Sequence, residues 1–214
     1  MKFSDFSPPL VAILRGLPPA DAGWVGDVLY DAGFRILEVP LNRPGAVDAI
    51  ALLAARGWPD ALVGGGTMLD IADVDAVFAA GGRMLVAPNC NPAVIRHAAA
   101  LGMLCAPGIA TPSEAFIALD AGAHALKLFP SDAIGTAGLA ALRATLPEGT
   151  AFWPVGGITP ASIADWVHAG ATGFGIGSAL YRPGVGADEL ATTAHAFMTA
   201  WQAASARVEK ARCA

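Results

Sequence analysis

Charge is scarce in this chain: charged residues make up 14% of the 214 positions against 55% hydrophobic ones. That balance excludes a disordered chain, which cannot bury enough apolar surface to offset its conformational entropy. The charge that exists sums to −5 at pH 7 and includes no cluster of lysine or arginine. A nucleic-acid partner, which needs a basic footprint, is therefore not expected. No apolar run reaches the roughly 18 residues of a membrane-spanning helix, so no membrane partner is expected either. Cysteines are few and odd in number, Cys90, Cys105 and Cys213, without C-x-x-C or Cys/His metal spacing. They fit reduced thiols in a cytoplasmic protein. The first residues, Met-Lys-Phe-Ser-Asp-Phe-Ser-Pro-Pro, lack the continuous apolar stretch of a signal peptide, and export is not expected. The histidines, His97, His124, His168 and His195, fall in helical patterns or just before a strand, which gives no reason to expect a catalytic metal.

What the chain does contain is a regular alternation. Runs at 11–14, 35–40, 61–66, 84–87, 103–106, 125–129, 151–155 and 172–176 read as strands, and segments at 18–32, 44–56, 70–81, 91–101, 112–121, 136–146 and 160–169 carry helical apolar spacing. Asn91-Pro92, Thr111-Pro112 and Thr159-Pro160 each place a capping side chain before a proline at the first helical position, and Glu114 completes a capping box with Thr111. Glycines at 33, 57, 102, 122 and 170 stop helices. Eight strand-helix units in a chain of this length predict one domain spanning 1–214, an α/β fold of the (β/α)8 TIM-barrel class, with a last helix over about 187 to 210 packed outside.

In a barrel of this kind the informative polar residues stand at the C-terminal ends of the strands. In Ala125-Leu126-Lys127-Leu128-Phe129-Pro130, the period of two puts Lys127 on the inner face and the leucines on the outer one. Two readings stay open for it: a desolvated amine that attacks a carbonyl, or an interior lysine paired with a carboxylate. Glu38, in Ile36-Leu37-Glu38-Val39-Pro40, shares that inward parity and is either the acid/base group or the counter-ion. Gly64-Gly65-Gly66-Thr67 would bring backbone and the Thr67 hydroxyl to a ligand, and Arg15, after the first strand, could bind a carboxylate or phosphate. Gly156-Gly157 before the Thr159-Pro160 helix start, together with Gly177-Ser178 after the last strand, has the layout of the recurrent barrel phosphate site. The same glycines could equally relieve crowding where strands meet loops.

Taken together, Ala12-Ile13-Leu14-Arg15-Gly16, Glu38-Val39-Pro40-Leu41-Asn42, Gly64-Gly65-Gly66-Thr67, Val86-Ala87-Pro88-Asn89, Leu126-Lys127-Leu128-Phe129-Pro130 and Val155-Gly156-Gly157-Ile158 resemble the KDPG/KHG aldolase family. The resemblance implies a class I aldolase needing no metal or other cofactor and commonly forming a homotrimer. It implies Lys127 as the Schiff-base lysine and Glu38 as the proton donor and acceptor. Arg15, Thr67, Pro88, Phe129, Val155, Gly156, Gly157, Gly177 and Ser178 would then contact substrate, Thr67 near the keto-acid end and the glycine turns at the phosphate. The implied reaction is reversible cleavage of a 2-keto-3-deoxy-6-phospho sugar acid to pyruvate and glyceraldehyde 3-phosphate. Gluconate-type members usually carry arginine where this chain has Asn42 and threonine where it has Val155, so both departures point to the galacto-configured substrate. The gluco epimer and 4-hydroxy-2-oxoglutarate are the alternatives within the family. Outside it, a phosphosugar epimerase, a thiamine-phosphate-type synthase or a non-catalytic phosphosugar-binding barrel would share the fold.

Overall fold

The computed structural model describes residues 2–212. Strands β1 (Leu10–Ile13), β2 (Ile36–Pro40), β3 (Leu62–Gly66), β4 (Met84–Val86) and β5 (Leu104–Ala106) lie side by side in chain order, and β9 (Phe174–Ile176) adds beyond β1. A second group holds β6 (Gly108–Ile109), β7 (Leu126–Leu128) and β8 (Phe152–Pro154). All pairings are parallel, and the result is an α/β fold with a curled parallel sheet. The connecting helices are α1 (Ala22–Asp31), α2 (Ala46–Ala54), α3 (Ile71–Ala79), α4 (Pro92–Ala100), α5 (Pro112–Asp120), α6 (Ser131–Arg143) and α7 (Ile163–Ala169). The expected terminal helix is α8 (Ala187–Arg212), packed against α1 and α7. Cys213 lies outside the described residues. No helix among them is long and apolar enough to cross a membrane.

The caps at Asn91 and Thr111 and the helix-stopping glycines act as expected. Asn91 accepts from the Ala93 N–H at 3.1 Å, and Thr111 and Glu114 form the reciprocal capping box. The helix-stopping glycines 33, 57, 102, 122 and 170 all have positive φ.

Three boundaries differ from the sequence reading. The run expected at 103–106 continues beyond Pro107, pairing with β4 through Leu104–Ala106 and with β7 through Gly108–Ile109. Pro107 has no N–H to give the ladder, but its carbonyl accepts from Lys127 N–H at 2.9 Å. The helix expected at 136–146 begins at Ser131, and Gly135 breaks it with φ 72° and ψ 172°. Thr159-Pro160 opens a 3-10 turn over Pro160–Ser162, and α7 begins only at Ile163.

Strand parity divides the core in two. Leu10, Leu37, Leu126, Leu128 and Phe174 join the cluster between sheet and helices. Val11, Ile13, Ile36, Met84, Leu104 and Trp153 form a separate cluster on the inner face of the curl. Phe3 and Phe6, from a segment the sequence reading left without structure, belong to the inner cluster, and the Phe3 ring meets Trp153 edge-on at 4.3 Å between centroids. These rings fill the interior from below. Phe3→Ala should therefore lower unfolding stability by about 3 kcal/mol, the loss typical of a buried phenylalanine. A urea midpoint matching the unaltered chain would show that the plug contributes nothing.

Candidate active site

Lys127 occupies the middle of β7, across from Gly108 on one side and Trp153 on the other. Its flanking leucines face the helices and Ala125 faces inward, so the lysine stem runs into the interior, where the residue is only 6% exposed. Glu38, on β2, sits in register with Ile13 of β1 and Gly64 of β3 and is 2% exposed. Among the described residues no ion pair joins the two, and neither ends as a sealed polar atom without a partner. Their charged ends therefore reach the open interior, each influencing the other without direct contact.

Burial moves both groups toward neutrality. It pulls the Lys127 amine below the usual lysine value, opposed by the Glu38 charge and assisted by Arg15. It pushes the Glu38 carboxyl above the usual carboxylate value, opposed by Lys127 and then Arg15. A pair so placed favours the neutral, nucleophilic form of the amine and a carboxyl that holds its proton more readily than usual. The Lys127 ammonium also lies 5.2 Å from the Phe129 ring centroid.

The end of β3 explains how a carboxylate fits here. A methyl group on Gly66 would overlap the Glu38 carboxylate, and one on Gly64 would overlap the Met84 backbone. These glycines are spaces, one occupied by the Glu38 carboxylate and the other by a neighbouring strand. Thr67 follows with φ 54°, the only left-handed non-glycine residue among those described. A β-branched residue held there is strained, a feature that clusters at ligand sites. Pro88 does not line the cavity that adjoins Phe129; its carbonyl lies where a Gly108 side chain would be.

Beside the buried pair opens a cavity of about 380 Å³. It is lined by seven of the expected residues, Arg15, Phe129, Val155, Gly156, Gly157, Gly177 and Ser178, and also by Tyr181 and Arg182, which the sequence reading did not single out. Lys127, Glu38 and Thr67 are not part of this wall. Gly156 and Gly157 have φ 114° and 66°, and Ser131, fully buried at the start of α6, pins the turn. Its hydroxyl donates to the Gly156 carbonyl at 2.7 Å and its N–H to the Val155 carbonyl at 3.0 Å. Gly175 leaves space for Val155, whose Cγ2 would stand 2.6 Å from a Cβ there. Arg15 donates to Asn42 Oδ1 at 2.9 Å, so the asparagine that departs from the gluconate pattern orients a guanidinium. Neither Ser131 nor Asn42 was found from sequence as a support. A serine straight after Phe129-Pro130 was the available signal, but its partner lies 25 residues away.

Elsewhere, His97 meets Asp75 at 2.7 Å and His195 Nδ1 meets the Ala191 carbonyl at 2.7 Å. No group of three or more metal-ligating side chains occurs among the described residues.

Comparison with known proteins extends this picture. The family described as KDPG and KHG aldolase matches residues 7–194. A 2-dehydro-3-deoxy-6-phosphogalactonate aldolase of Escherichia coli K12 is 46% identical over 197 residues, covering 92% of this chain and 96% of that protein. A probable enzyme of the same name from Rhizobium meliloti is 42% identical over 195 residues, covering 91% of this chain and 92% of its own length. A solved structure described as native KDPGal superposes with a TM-score of 0.93 at 43% identity, covering 96% of this chain and 99% of the other.

The Gly66–Glu38 packing can be tested directly. Gly66→Ala should leave the circular dichroism spectrum intact while displacing Glu38, reducing turnover by about 10²-fold or more if that carboxyl handles the proton. Unaltered turnover would mean that Glu38 has no fixed position to lose.

Proposed function

Because the chain belongs to the KDPG and KHG aldolase family, and is thus a carbon–carbon lyase, we propose that it cleaves 2-dehydro-3-deoxy-6-phospho-D-galactonate to pyruvate and D-glyceraldehyde 3-phosphate by a Schiff base on Lys127. The observation that carries this reading is the inward, desolvated amine of Lys127 with the Glu38 carboxyl charge-coupled to it across the interior.

The neutral fraction of Lys127 attacks the C2 carbonyl of the keto acid, and loss of water leaves a protonated iminium. The iminium is an electron sink. When Glu38, directly or through a water, removes the C4 hydroxyl proton, the C3–C4 pair flows toward nitrogen and the C4 oxygen becomes the aldehyde of the leaving triose phosphate. The remaining pyruvyl enamine is protonated at C3 by the same carboxyl, and hydrolysis returns pyruvate and the amine. Arg15 and Thr67 hold the carboxylate end, and Pro88 and Phe129 border the chain. The turns at Gly156-Gly157 and Gly177-Ser178 present backbone N–H groups to the phosphate. Val155 faces the C4 hydroxyl.

We read the architecture as one domain closed into a (β/α)8 barrel. Two observations support closure: 104–109 pairs with β4 on one side and β7 on the other, and Val155 bridges to Gly175 between β8 and β9. A cytoplasmic location accords with the free thiols of Cys90 and Cys105, the latter held protonated by burial, its pKa pushed up to about 12. The homotrimeric state rests on family membership, and light scattering decides it.

Borohydride added with pyruvate should trap a covalent adduct on Lys127, detectable by peptide mass, and Lys127→Arg should abolish both adduct and activity. In Glu38→Gln the adduct should persist while turnover falls by about 10²- to 10⁴-fold. Activity without a trappable lysine would sink the mechanism.

The galacto preference rests on Val155, which matches threonine in volume without a hydroxyl to reward one epimer. Val155→Thr should shift the kcat/KM ratio toward the gluco epimer by about 2- to 13-fold, the range of one neutral hydrogen bond. A stationary ratio would remove Val155 as discriminator.

A further inference from the structure

The cavity wall contains two guanidinium groups, Arg15 and Arg182, and no carboxylate. In a chain of net charge −5 this is a local reversal of sign. The two cations are held by different partners. Arg15 bonds to Asn42 beyond β2, and its charge acts on both Lys127 and Glu38. Arg182 is held at the rim by another element. It follows the Gly177-Ser178 turn, whose geometry is fixed by Leu180 and Tyr181 N–H groups donating to the Gly177 carbonyl at 2.8 and 3.0 Å. Its guanidinium donates to Glu189 Oε1, in the first turn of α8, at 2.6 Å. Both partners are largely exposed, 64% and 52%. An exposed pair of this kind contributes little to stability and is readily exchanged.

We propose that Arg182 is a substrate-binding residue that discriminates for the phosphorylated end of the substrate, exchanging Glu189 for the phosphate dianion when the site fills. This deepens the aldolase reading and rests on it for the identity of the substrate. A sugar acid with a carboxylate at C1 and a phosphate at C6 carries an anion at each end. The cavity supplies two guanidinium groups, Arg15 held by Asn42 and Arg182 a few residues after the Gly177-Ser178 turn. The backbone N–H groups of those turns provide direction without net charge. A guanidinium adds the charge-assisted, planar donor pair suited to phosphate oxygens. Glu189 keeps that group at the rim of the empty site and competes with phosphate for it.

The test compares Arg182→Gln, Arg182→Lys and Glu189→Gln on the phosphorylated keto-deoxy acid and its dephosphorylated counterpart, with inorganic phosphate binding followed by calorimetry. In Arg182→Gln the ratio of kcat/KM, phosphorylated over dephosphorylated, should fall about ten- to hundredfold, mainly through KM, and phosphate binding should weaken in step. Arg182→Lys should recover part of the loss, and Glu189→Gln should lower the KM of the phosphorylated acid. Equal losses on both substrates would reveal a merely structural arginine and overturn the proposal, as would an unchanged ratio. An unchanged or raised KM in Glu189→Gln would overturn the exchange with Glu189. If the unaltered protein cleaves neither acid yet binds phosphate through Arg182, the aldolase reading fails and the phosphate site stands. If it cleaves both and Arg182→Gln binds phosphate as before, the reading stands and Arg182 is excluded.

Discussion

Two ionisable side chains almost wholly buried inside an apolar curl set the terms for the rest of this structure. Lys127 and Glu38 are each destabilised in their charged form by burial, and each relieves the other only through charge acting across the interior. A direct ion pair would ease the burial more fully but would tie up the amine and the carboxyl. Keeping them apart requires fixed positions on separate strands. The surrounding features follow from that: the register of β2 against β1 and β3, the empty volume at Gly66 that admits the carboxylate, and the aromatic packing beneath.

Much of this was legible in the sequence because it is written in short-range periodicity. The alternation Ala125-Leu126-Lys127-Leu128 is enough to send the lysine inward, since neighbouring strand residues must face opposite ways. Ile36-Leu37-Glu38 does the same for the carboxylate. Caps such as Thr111 with Glu114 span three residues and involve nothing else. The paired glycines at 156 and 157 likewise announce a turn that other residues could enter only with strain.

What remained hidden depends on residues brought together through space. Ser131 looks like an ordinary helix-start serine, and only its meeting with the Gly156 carbonyl shows it as the pin of a turn. Asn42 read as the loss of an arginine, whereas it orients Arg15 from 27 residues away. Gly66 belongs to a recognisable run of glycines, but its purpose lies in an atom of Glu38. The continuation of the fifth run beyond Pro107 escaped for a local reason: a proline looks like an end, and here its carbonyl still serves the ladder. Strand boundaries were therefore less legible than strand faces.

The position of β1, between β2 and β9, bears on how such a chain is made. Synthesis proceeds from the N-terminus, so one edge of β1 has no partner until Phe174–Ile176 has left the ribosome, and Phe3 has no Trp153 to pack against until nearly as late. Contacts between such distant segments form slowly, and an unpaired strand edge beside exposed apolar rings invites association with other chains. The segment that carries Phe3 and β1 is thus made well before the partners that seal it, and it stays vulnerable for as long as they are missing.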